Sequence, residues 1–288
     1  MASCDGHQVD LELRMTPLAL YSTDPARGWL PWAWLTPILM VLFNAIPMIA
    51  LDGCMQSQQW STPRGDPIGL AGFHALLWIG FAPTLAAVLA WVRFIQGRSL
   101  AGIGLTGPSP LETFLHGLAV GFGTISLVVV AIWMAGGMQS AELGPAWRSP
   151  VSLLHIGLLL LAFIFQASVE EVIFRGWMLS VGGRKTNLAV AVLVVSLGFC
   201  FLHFSPQQPP LAILFSFLYS LFACAWALRT GSIWGVMGWH AGWNWLLATG
   251  FELPVTGMDS HLPALLVALR PYGPDALTGG AQGPEGSY

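Results

Sequence analysis

Apolar residues gather along this chain in runs close to bilayer length, and polar residues collect between them. A membrane-spanning helix needs about 20 mostly apolar residues. Runs of that order occupy 30–51, 68–95, 111–136, 151–181, 187–204, 209–228 and 233–251. The joints at 61–67, 107–110 and 205–210 are rich in Pro, Gly and Ser, which end helices and start turns. The pattern predicts an all-α, polytopic transmembrane helix bundle of about seven spans. A last apolar run, 262–269, is too short to span and is expected to form a short interfacial or re-entrant helix. With no repeat of fixed period, the simplest division is an N-terminal tail (1–29), one integral-membrane domain (30–270) and a C-terminal tail (271–288).

Composition sharpens this. Hydrophobic residues make up 55% of the 288, and only 9% are charged, against roughly 25% in soluble domains. Too little polar surface remains for a soluble globule, and a disordered chain would be far poorer in apolar residues. A net charge of −3 with no basic patch removes the electrostatic footprint of a nucleic-acid binder. The four Cys form no CxxC pair, so a structural zinc site has no thiol support. The first apolar run follows an acidic tail without a basic leader region, so no signal peptide is expected. Lys and Arg favour one side of the membrane. With the N-terminus inside, Arg14, Arg27, Arg93, Arg98, Arg184, Lys185 and Arg229 fall on the cytoplasmic side, against Arg64, Arg148 and Arg270 opposite. The expected setting is a multi-pass protein of a bacterial cytoplasmic membrane with a cytoplasmic N-terminus.

The charges that disobey the pattern carry the chemistry. Of 14 acidic residues, only Glu170 and Glu171 lie well inside an apolar run, and Arg175 follows on the same helix. Each such group carries a penalty of about 2.5–3.5 kcal/mol at a helix centre, so intramembrane charge is a functional signal by default. Glu171 and Arg175, four apart with the acid first, suit a structural ion pair. Glu170 is left over, about 100° around the helix. Among the histidines, His203 shares a helical face with Phe199, and His240 shares one with Asn244. Counted at about 1.5 Å per residue from the nearest loops, these groups lie at similar depth, with His203 several ångströms deeper.

Other routes to peptide hydrolysis in a membrane lack their residues. No Asp lies inside a span, His-Glu-x-x-His is absent, and Ser168, Ser180 and Ser196 have no nucleophile-elbow context. A carboxylate with a His can instead deprotonate water directly, while a second His and an Asn hydrogen-bond the oxyanion. That set needs no cofactor and no metal.

The ordered set Glu170-Glu171-x-x-x-Arg175, Phe199-x-x-x-His203 and His240-x-x-x-Asn244 resembles the CPBP family of CAAX prenyl endopeptidases and bacteriocin-processing enzymes, described as glutamic intramembrane proteases. The likeness covers about 150–251 and includes Phe174-Arg175-Gly176 and His240-Ala-Gly-Trp-Asn244. The tail from Thr278 to Gly286 is similar to a stretch found in many bacterial members. The resemblance implies that Glu170 with His203 activates water and that His240 and Asn244 form the oxyanion hole. Glu171 and Arg175 then support the site, and Phe199 shapes the pocket near His203. The implied partner is a membrane-associated protein or peptide substrate within the lipid bilayer, cut near its cytoplasmic or membrane-embedded part. Two further readings are a non-catalytic immunity or regulatory protein on the same scaffold, and a proton-coupled transporter, which calls for polar groups spread along a full pathway.

Overall fold

A computed structural model of the chain describes residues 20–22, 25–63, 65–204 and 210–287. Most of the N-terminal tail, Arg64 and the 205–209 joint lie outside the described residues. Helices occupy all seven predicted stretches: α1 (Leu35–Ser57), α2 (Gly69–Ile95), α3 (Pro110–Met134), α4 (Pro150–Lys185), α5 (Leu188–Leu202), α6 (Pro210–Thr230) and α7 (Trp234–Gly250). Five are long and apolar enough to cross a membrane. The other two, α5 and α7, have 15 and 17 residues, or roughly 22 and 25 Å of helix against a hydrocarbon core of about 30 Å. The expectation of about seven spans thus becomes seven helices, of which five reach full length. Outward faces are apolar, with Ile46, Ile49, Leu127 and Leu154 all exposed, as expected of helices solvated by lipid rather than water.

Local sequence sets several helix ends. Pro110 and Pro150 open α3 and α4 from the first turn, where a missing N–H costs nothing. Ser149 Oγ accepts from Ser152 N at 3.2 Å to cap α4, and Asn187 Oδ1 accepts from Val190 N at 3.0 Å to cap α5. Helix α4 runs on to Lys185, four residues beyond the expected end, passing through a π-helical stretch at Val172–Met178. Counted from Lys185, Glu170 lies about 22 Å in, nearly level with His203.

Helices α3 and α7 are the most intimate pair, and glycines make the approach possible. A side chain at Gly117 would put its Cβ 1.9 Å from Gly235 O, and one at Gly238 would meet Phe114 O at 2.0 Å. Gly121 and Gly242 are similarly closed off by backbone, at 2.3 and 2.5 Å. The repeated Gly-x-x-x-Gly spacing (117/121 and 238/242) is the small-residue stripe that lets membrane helices touch along their backbones.

Backbone pairings sort the loops into two ends. At one end Ile233 N donates to Gly104 O at 3.0 Å, Gly28 N donates to Gln96 O at 3.1 Å, and Arg184 Nη2 donates to Ser22 O at 2.6 Å. Arg98 is buried here, donating to Ser180 Oγ; burial first, then nearby Arg184, brings its guanidinium down to about 10. At the other end β1 (Met138–Leu143) pairs antiparallel with β2 (Val267–Pro271). The 262–269 run is therefore not a short helix. It extends into β2 because its amides are taken up by neighbours: Leu265 N by Thr249 O at 2.7 Å, Leu266 N by Gly250 O at 3.0 Å, and later residues by β1. Within the C-terminal tail, Pro284 and Gly286 are buried.

Candidate active site

Helix α4 brings four polar side chains inward from consecutive turns, and each has a partner. Gln166 Nε2 donates to Glu170 Oε1 at 2.7 Å. Glu171 and Arg175, both fully buried, form the i,i+4 ion pair at 2.9 Å. Glu171 Oε1 also faces His240 Nδ1 at 2.8 Å, so one carboxylate ties the cation on its own helix to the imidazole of α7. Asn244, one turn beyond His240, donates from Nδ2 to Gln166 Oε1 at 3.4 Å.

His203 follows directly on the last residue of α5. Its Nδ1 lies 2.9 Å from Phe199 O, and its ring stacks on Phe199 with centroids 4.1 Å apart. The Arg175 guanidinium sits 4.6 Å from the same Phe199 ring, a cation–π contact. A carbonyl and a carboxylate only accept, so both imidazoles carry a proton on Nδ1 and turn Nε2 toward the cavity. There the two Nε2 atoms flank one oxygen: Glu170 Oε2 lies 3.9 Å from His203 and 3.8 Å from His240. This buried oxygen has no direct hydrogen bond among the described residues. Glu170, His203, His240 and Asn244 line one cavity of about 450 Å³. Glu171 and Arg175 stand behind it. Among the described residues, no three His, Cys, Asp or Glu are grouped to hold a metal ion.

All seven residues singled out in the sequence thus meet at one place, from α4, α7 and the C-terminal end of α5. Sequence reasoning missed three others. Gln166, bridging Glu170 and Asn244, was legible as an amide four residues before Glu170 on the same face. Tyr219 stacks on Trp239 and Phe199 and sets its ring edge-on to His240. Glu285 lines the same cavity from the C-terminal segment and accepts from Trp243 Nε1 at 2.9 Å. No helical spacing connects either of these to the motifs.

Fold and site together define an integral, multi-pass membrane protein with a carboxylate–imidazole centre buried among its helices. Residues 152–246, about a third of the chain, match the model of the Rce1-like family, the type II CAAX prenyl endopeptidases. That segment contains every motif residue, Gln166 and Tyr219, and ends before Glu285. At the level of the family, the match supports a CAAX-type intramembrane protease. No curated protein and no solved structure matches the chain.

Proposed function

We propose that the chain is an intramembrane endopeptidase that hydrolyses a peptide bond by direct attack of water. The observation that carries this reading is the Glu170 oxygen between two imidazole Nε2 atoms at 3.8–3.9 Å. That spacing is too long for a direct hydrogen bond and suits one water oxygen bonded to carboxylate and imidazole at once. Glu170 and His203 take the proton as the water oxygen attacks the carbonyl carbon. The oxyanion formed is met by Asn244 Nδ2 and by His240 Nε2. The His240 donor requires a proton on Nε2 in addition to the one that Nδ1 directs at Glu171. As the tetrahedral intermediate collapses, the C–N bond breaks and the abstracted proton passes to the leaving amine. Glu171, Arg175 and Phe199 position these groups without touching the substrate.

The setting we propose is a bacterial cytoplasmic membrane with the N-terminus inside, and the substrate a membrane-associated peptide or protein. The test is a mass-spectrometric comparison of membrane peptides and small proteins from cells carrying wild type or Glu170→Ala. A species that accumulates uncut with the variant, while the variant remains folded in the membrane, supports the reading. Identical profiles under several growth conditions would sink it in favour of a non-catalytic scaffold.

A further inference from the structure

The site is not equally open to the two sides of the membrane. Its cavity is bounded, away from Glu170, by Asp66, Phe204, Thr256, Met258, Gln282 and Glu285. Thr256, Met258, Gln282 and Glu285 all belong to the segment that continues α7 past its far end. That segment pairs with β1 and folds back on itself, Gly257 N donating to Gln282 O at 3.3 Å. Asp66 belongs to the loop at the same end of α1. No residue of the opposite loops (25–29, 96–106, 180–187 or 229–233) lines the cavity.

Charge says which end is which. Among the described residues, Arg27, Arg93, Arg98, Arg184, Lys185 and Arg229 lie at the end away from the cavity mouth, and only Arg148 and Arg270 lie at the sheet end. Lys and Arg in short loops are retained on the cytoplasmic side. The sheet adds a parity constraint: β1 and β2 pair, so the chain between them crosses the membrane an even number of times. Helices α4 and α6 with the shorter α5 and α7 meet this condition as four crossings.

We infer that the cleavage cavity opens to the non-cytoplasmic face. Its substrates are then membrane-anchored proteins or peptides whose scissile bond lies at or just below the outer surface, with an apolar segment in the bilayer. The substrate class rests on the peptidase reading; the direction of the opening does not. A cytoplasmic lipidated C-terminus would have to reach the site from its closed side.

Two arms test this. In a Cys4→Ser, Cys54→Ser background, Asp259→Cys and Ala281→Cys mark the cavity end and Ser99→Cys the other. A membrane-impermeant maleimide should label the first two in sealed right-side-out vesicles and Ser99→Cys only in inside-out ones; the reverse pattern overturns the inference. In the second arm, products absent from Glu170→Ala cells should carry their new terminus on the outer side of a predicted span. New termini on the cytoplasmic side overturn the substrate class. Indistinguishable profiles remove the peptidase reading, and the substrate class with it, while the labelling still decides the opening.

Discussion

Glu171 uses a single oxygen to hold both Arg175, at 2.9 Å, and His240, at 2.8 Å. Removing it leaves a guanidinium buried without its counter-charge, which destabilises by about 3–5 kcal/mol, whereas replacing both partners by apolar residues costs far less. Glu171→Leu should therefore unfold at markedly lower denaturant than wild type in detergent, and Glu171→Leu/Arg175→Met should recover most of the loss. A double variant no better than the single one would show that the pair is not the source. Gln166 acts at the same scale by holding Glu170 Oε1 and thereby turning Oε2 toward the two imidazoles. Gln166→Ala should lower kcat about tenfold to a hundredfold through misplacement of the carboxylate, with KM nearly unchanged. An equal loss through KM alone would place Gln166 in substrate binding instead.

Helix α7 carries His240 and Asn244, and its position is set by backbone contact with α3. A methyl group at Gly238 would sit 2.0 Å from Phe114 O, so the helices must part to admit it. Overpacking of this kind costs about 1–3 kcal/mol, and the shift moves both site residues of α7 away from Glu170. Gly238→Ala should lose thermal stability and activity together. Gly123→Ala, on α3 but facing open space, should retain both. Equal behaviour of the two variants would mean that helix propensity, not the contact, governs the effect.

The C-terminal segment joins the scales. Gly279 and Gly283 have positive φ, and a side chain at either would collide with backbone, at 1.6 Å from Gly283 O and 2.5 Å from Pro254 O respectively. The coil they permit delivers Glu285, whose Oε2 accepts from Thr256 N at 2.6 Å while Oε1 accepts from Trp243, the neighbour of Asn244. One carboxylate thus clamps the wall of the cavity to α7. Glu285→Ala should free that wall and raise KM about tenfold while kcat changes little, and amide exchange should quicken over 255–258 but not across α7. A variant with unaltered KM and unaltered exchange would reduce the tail to packing.

Much of this was settled by the sequence alone. Apolar run length located seven helices, because a hydrocarbon solvent forces every backbone polar group into helical hydrogen bonds. The expense of burying charge singled out Glu170, Glu171 and Arg175, and ordered spacing added His203, His240 and Asn244. Tertiary structure decided what local pattern cannot encode. It turned 262–269 into an extended segment that leads into β2, because partners for its amides lay in β1 and at the end of α7, more than a hundred residues away in one case. It drew Tyr219 and Glu285 to the site through contacts between distant segments. It also fixed the end of the bundle at which the cavity lies open, since no periodicity along one helix records which loops will meet above it.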